Sequence, residues 1–221
     1  MRLYLATVAA DEIRWATAAG LLDGVVATPS VLSAELPLAD PREIISEIAE
    51  RTTLPIFASV PSLDAAEIQR AGKALGKLAE HLILAIPFVE DALPAMRRLS
   101  QDGIRVAATL IHSVAQGILA AKAGATHVVV AVDALEAVGH PADAIVRGLR
   151  DALDHARLEC DVVVAGVPSS TRFAELAAAG ADAAVVTPAA LRSFLQHPLT
   201  DRGIDRFLGD ISRRAKPRRT K

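Results

Sequence analysis

The side chains with chemistry to offer in this 221-residue chain fall just after short apolar runs. "GVVAT" (24–28) ends at Thr28 and opens the turn Thr28-Pro29-Ser30, "PIFASV" (55–60) carries Ser59, and "VAATLI" (106–111) carries Thr109 and is followed by His112. "HVVVAV" (127–132) precedes Asp133, and "DVVVAGV" (161–167) leads into Ser169, Ser170 and Arg172. Hydroxyls beside the free N–H groups of a helix start, with an arginine at hand, form the donor set that holds a phosphate. Ordinary Ser/Thr capping uses the same residues. Asp133 and His112, after neighbouring runs, are types that move protons. "LILAIP" (82–87) stands apart: it ends in Ala85, Ile86 and Pro87, none of them reactive, with Glu90 and Asp91 soon after.

Converging imidazoles and carboxylates would be needed for a metal-assisted reaction. His112, Asp133, Glu136, His140, Glu90 and Asp91 are the available set, yet no two histidines sit at ligand spacing, so no metal site and no cofactor are expected. Glu90 and Asp91 suit the positive end of a following helix, and Asp133 suits a turn in "VDALE". The single cysteine, Cys160, borders an apolar run and reads as an inert thiol. A catalytic thiol needs a base, and His155 is the only local one.

Eight β-rich runs, at 2–7, 24–28, 55–60, 82–87, 106–111, 127–132, 161–167 and 183–187, must position these residues. Helical stretches such as "PREIISEIAER" and "ADAIVRGLRDALDHARL" alternate with them. Several runs are continuously apolar, as strands buried on both faces are. Gly closes the turns "LLDG", "SQDG", "AKAG" and "AAAG", where a left-handed helix C-cap calls for it. Eight such units without a linker describe an α/β fold, a single (β/α)8 TIM barrel over 1–199. An open doubly wound sheet is the runner-up, but "LATVAAD" lacks the Gly-rich fingerprint that fold wants after its first strand. A ninth, amphipathic helix follows at 200–215, with Ile204, Phe207, Leu208 and Ile211 on one face. It has either its own barrel or a second subunit to bury that face against.

Apolar residues make up 52% of the chain, aromatics 3%, and the formal net charge is -2. That balance argues for a sizeable core and against a nucleic-acid or anionic-membrane surface. The basic tail at 216–221 is expected to be a frayed terminus. No run reaches the roughly 18 apolar residues of a membrane span, and the N-terminus is too soon charged for a signal peptide, so a cytoplasmic location is the default.

The whole chain also resembles the small transaldolase family, in its fructose-6-phosphate-aldolase-like branch. "LYLAT" is similar to that family's "LYLDT", "GVVATPSVL" to "GVTTNPSII", and "LILAIPFVEDALPAMRRL" to "IVVKVPVTAEGLAAIKML". "GIRVAATLIHSVAQGILAAKAGATHV" and "LQHP" follow the family pattern as well. The resemblance implies carbohydrate-metabolic aldol chemistry through a Schiff-base lysine in strand four, a position that falls on Ala85. The family's strand-one aspartate falls on Ala6, its asparagine on Thr28, its strand-three glutamine on Ser59 and its tyrosine on Ala131. Its phosphate-holding arginine falls on Ala134 and a strand-seven serine on Gly166, while Thr109 is kept. The resemblance further implies a homo-oligomer, rings of five that stack to ten. Iminium formation needs a primary amine in the pocket, and Lys73, Lys77, Lys122, Lys216 and Lys221 all fall away from strand ends. Two readings result: a barrel without Schiff-base activity that still binds a phosphorylated metabolite through Thr28, Ser30, Ser59, Thr109, Ser169, Ser170 and Arg172, or an enzyme of altered chemistry using Thr109, Asp133 and His112.

Overall fold

A computed structural model describes residues 1–214. The basic tail at 216–221 lies outside the described residues. Eight parallel strands close into a barrel in sequence order, with β1 pairing β8. They are β1 (Arg2–Leu5), β2 (Gly24–Ala27), β3 (Ile56–Ser59), β4 (Leu82–Pro87), β5 (Arg105–Ile111), β6 (His127–Ala131), β7 (Asp161–Ala165) and β8 (Ala183–Val186). The helices are α1 (Ala10–Ala18), α2 (Pro29–Glu35), α3 (Pro41–Arg51), α4 (Ala65–Gly76), α5 (Leu93–Gln101), α6 (Val114–Lys122), α7 (Val132–Ala137), α8 (Ala142–His155), α9 (Ser170–Ala178), α10 (Pro188–Phe194) and α11 (Pro198–Arg214). The barrel expected from the eight apolar runs is the fold observed. Two short helices, α2 and α7, are additional; they lie in the loops after β2 and β6.

Local chemistry starts the helices. Asp40, Asp64, Ser113 and Ser169 cap α3, α4, α6 and α9 by accepting a first-turn N–H, and Thr28 and Thr187 cap α2 and α10 with proline at the next position. Gly103, Gly124 and Gly180 end helices with φ of 79°, 97° and 103°, as their turns require. Gly24 differs from that expectation. The left-handed residue after α1 is Gly20, and Gly24 is the first residue of β2, where a Cβ would stand 2.7 Å from the Pro55 carbonyl oxygen and 2.8 Å from the Tyr4 ring. Its requirement is close approach, not turn conformation.

Alternation along the strands divides the core into two layers. Leu5, Ala27, Ala58, Leu84, Ile86, Ala108, Val130 and Val164 pack outward against the helices. Tyr4, Val26, Phe57, Ile83, Ala107, Val163 and Ala183 fill the interior. Tyr4 and Phe57 meet with ring centroids 4.8 Å apart, and His127 stands edge-on to Phe57 at 5.3 Å. At this N-terminal end His127 Nε2 lies 3.3 Å from Asp161 and its Nδ1 2.8 Å from the Thr126 hydroxyl, while Arg2 pairs with Asp161 at 2.7 Å. His127 is only 6% exposed, a structural histidine at the end away from the strand C-termini.

Burial pulls the His127 pKa from 6.5 down to about 4, against the raising effect of Asp161. The unfolded chain therefore binds a proton that the folded one refuses between those values. Stability is full above pH 6.5 and declines as the pH falls toward 4, by up to about 3 kcal/mol. Urea midpoints measured across that range should show the decline, and His127→Gln should flatten it.

Candidate functional site: the C-terminal mouth of the barrel

With aromatic rings filling the lower interior, access to the barrel remains at the strand C-termini. The last inward position on each strand follows from alternation with the outward layer: Ala6, Thr28, Ser59, Ala85, Thr109, Ala131, Ala165 and Thr187. Ala85 lies between the outward-packed Leu84 and Ile86, is 4% exposed, and pairs in register with Ser59 of β3 and Ala107 of β5. Its methyl group faces the interior and offers no nucleophile. Thr109 pairs with Pro87 at the same mouth.

The hydroxyls are partly committed. Thr28 Oγ1 accepts from the Val31 N–H and lies 2.9 Å from Ser30 Oγ. Ser169 Oγ accepts from the Arg172 N–H at 3.2 Å, which leaves Ser170, exposed on the first turn of α9, as the freer hydroxyl there. The Arg172 guanidinium reaches Glu136 at 2.6 Å, Glu175, and Asp143 at 3.6 Å, so it ties together α7, α8 and α9. The hydrogen bond to Glu175 raises its pKa further. Arg192, at the end of α10, is held by Glu12 at 2.7 Å and lies 4.0 Å over the Trp15 ring.

Asp133 sits exposed in the first turn of α7, its Oδ1 accepting from the Ala134 N–H at 2.9 Å. It reaches across to β7. Gly166 has φ of 74°, and a Cβ there would stand 2.4 Å from the Asp133 carboxyl carbon. His112 is half-buried, its N–H donating to Gln116 Oε1 at 2.8 Å. Between Ala108 and Ile111 the β5–β6 register shifts, and Leu110 is extruded there with φ of 62° and 55% exposure. The mouth thus gathers Thr109, His112 and Asp133 on adjacent strand ends, although no hydrogen bond joins them among the described residues. Nor, among those residues, do three His, Cys, Asp or Glu side chains converge as a metal set.

Glu35 escapes sequence reasoning. Its carboxylate accepts from the fully buried Thr7 hydroxyl at 2.8 Å and from the Val8 N–H at 2.8 Å, fastening α2 to the end of β1. The partners lie 28 residues apart and no local pattern links them. Cys160 is buried at the opposite end with its pKa pushed up to about 12 by burial, a thiol that stays protonated. It lines a cleft of about 640 Å³ with Arg150 and Asp161 on the N-terminal face, away from the mouth.

The Asp133–Gly166 contact predicts a measurable penalty. Gly166→Ala should cost about 2 kcal/mol, part steric and part from the positive φ. Adding Asp133→Ala removes the carboxyl clash but keeps a Cβ 2.9 Å from the new methyl, so it should recover only part of the steric cost, leaving more than about 1 kcal/mol in urea melts.

The chain matches the Transaldolase/Fructose-6-phosphate aldolase family over residues 6–217. It is 34% identical to a probable transaldolase of Thermodesulfovibrio yellowstonii over 210 residues, covering 95% of this chain and 97% of that protein. It is 35% identical to a probable transaldolase of Desulfosudis oleivorans, covering 98% and 100%, and 37% identical to one of Heliobacterium modesticaldum, covering 95% and 97%. The closed barrel, the mouth at its strand C-termini and this end-to-end similarity agree: the chain belongs to the transaldolase/fructose-6-phosphate aldolase family.

Proposed function

We propose that this chain is a family barrel that binds a metabolite without Schiff-base aldol chemistry. Ala85 carries the reading: at the inward position of β4, where the resemblance calls for a lysine, stands a methyl group. The described lysines lie elsewhere. Lys73 on α4 pairs with Asp102 at 2.8 Å, Lys77 follows the α4 C-terminus, and Lys122 ends α6. Helices run antiparallel to the strands they follow, so these helix ends lie toward the opposite face from the mouth. A phosphorylated ligand would meet the free N–H groups of the α9 start together with Ser170, with Thr28, Ser59 and Thr109 lining the approach. Arg172 serves there by holding α9 in place, because its charge is already met by carboxylates.

One observation favours a second reading, an enzyme of altered chemistry. The Asp133 carboxylate is exposed at the mouth, near enough to β7 to fill the space above Gly166. In that reading Asp133 and His112 handle protons and Thr109 orients a carbonyl.

We further propose a homo-oligomeric ring, of five or ten copies by the family resemblance. α11 supports this: Leu199, Ile204, Phe207, Leu208 and Ile211 are 49–65% exposed along it. An apolar groove of about 680 Å³ between α1 and α3, lined by Val8, Ile13, Ile44 and Ile48, is of a kind to receive such a stripe from another copy. Phe207→Asp should shift the sedimentation velocity to a smaller species. An unchanged sedimentation coefficient would remove α11 from the interface.

Borohydride trapping with dihydroxyacetone or fructose 6-phosphate, read by intact mass, tests the central reading. The wild type should give no adduct and Ala85→Lys should give one, with melting curves confirming that both are folded. A specific adduct on the wild type would overturn it and direct attention to Lys216 and Lys221.

A further inference from the structure

The mouth differs from one side to the other. Thr28, Ser59 and Thr109 put hydroxyls on β2, β3 and β5. From β6 through β7 and β8 to β1, the upper inward side chains are Val129, Ala131, Ala165, Val185 and Ala6, and no polar atom appears among them below the rim residue Thr187.

The two arcs also differ in depth. On the β2–β4 side Val26, Ile83 and Ala85 are 5%, 0% and 4% exposed, so the interior is sealed there. Val129, Val185 and Ala6 are half-buried, although they pack against the interior cluster. Beneath them Tyr4, Phe57, Ala107 and Val163 are at most 3% exposed, so solvent does not reach the valines from the N-terminal end. Their accessible surface therefore opens at the C-terminal end. The interior dips on this side into an off-centre pit walled by valine and alanine. Single wet apolar side chains on a convex surface are ordinary, but a contiguous set lining a concavity fits an apolar group.

Position adds the second constraint. Ala165 runs through Gly166 into the α9 start, so the pit lies below the N–H groups and the Ser170 hydroxyl of that turn. A ligand with its head there has its body over Val129, Ala165 and Val185. Each hydroxyl of a polyol in that place would give up water and find no partner in the wall. A hydrocarbon body gives up nothing polar and gains the burial. Two residues of strand, from Val129 to Ala131, span about 7 Å, which is room for about four carbons.

We propose that the ligand of this mouth has a short aliphatic body without hydroxyls, seated in the pit against Val129, Ala165 and Val185. This rests on the reading of the mouth as a metabolite site, and it sets the ligand class apart from polyhydroxylated sugars.

Methyl NMR of the valine-labelled full chain tests this, with the Val129 and Val185 signals identified by their loss in Val129→Ala and Val185→Ala. The probes are n-butyl phosphate, glycerol 3-phosphate, inorganic phosphate and n-butanol. Butyl phosphate should shift both valines and bind about tenfold tighter than glycerol 3-phosphate, which matches it in charge and size but carries hydroxyls on its chain. Val185→Thr, which keeps the shape and adds a hydroxyl, should weaken butyl phosphate about threefold and leave inorganic phosphate unchanged. If Val185→Thr does not fold, Ala131→Ser makes the same test in a half-buried position. Glycerol 3-phosphate binding as tightly as butyl phosphate, or butyl phosphate binding that leaves both valines unmoved, would overturn the proposal while the phosphorylated-ligand reading stands. If no phosphorylated probe binds and n-butanol still shifts the two valines, the pit is upheld and the phosphorylated head is what fails. If neither butyl phosphate nor n-butanol shifts them, the proposal falls, and inorganic phosphate decides the other reading by itself.

Discussion

Tyr4 and Phe57 touch inside the barrel, with His127 edge-on to Phe57, and that plug governs what the rest of the molecule can do. A barrel of eight strands has room for side chains and little else. Three large rings at the N-terminal end use that room, so the free interior is confined to one layer of residues at the other end. The plug also fixes its neighbours. The Tyr4 ring stands where any side chain on Gly24 would be, so the first residue of β2 has no alternative to glycine. Above the plug, four of the eight inward positions are alanine, and the polar character of the mouth comes from Thr28, Ser59, Thr109 and Thr187.

The loops around that mouth resolve their own electrostatics internally. Arg172 is shared among Glu136, Glu175 and Asp143, and Arg192 is split between Glu12 and the face of Trp15. Glu35 is spent on Thr7 and Val8. These contacts fasten α2, α7, α9 and α10 to the barrel and leave the mouth to be defined by hydroxyls, backbone N–H groups and Asp133. Such a surface orients a ligand by directed hydrogen bonds more than by long-range attraction.

Much of the fold was legible because it rests on local pattern: continuous apolar runs for doubly buried strands, and Gly103, Gly124 and Gly180 as left-handed stops between helix and strand. The mouth position of Ala85 was legible too, since alternation along β4 is enough to set its direction. What escaped was long-range or compact. Glu35 and Thr7 are 28 residues apart, and α2 and α7 are too short to show helical periodicity. Gly24 looked like the other turn glycines because its reason, the Tyr4 ring, comes from another strand. Arg172 read as a ligand donor because nothing in "GVPSSTRF" reveals carboxylates arriving from α7 and α8.

Leu110 sets the phase of everything after it on β5. Up to Thr109 the strand keeps a strict in–out count, with Ala108 out and Thr109 in. The extruded Leu110 adds one residue without advancing the ladder, so Ile111 packs outward and the following residue, His112, inherits the inward phase. Were Leu110 an ordinary residue of the ladder, the count would turn Ile111 inward and His112 toward the helices, away from Thr109. A single extruded residue thereby resets the in–out count, and Thr109 and His112 share one opening only because Leu110 is left out of the ladder.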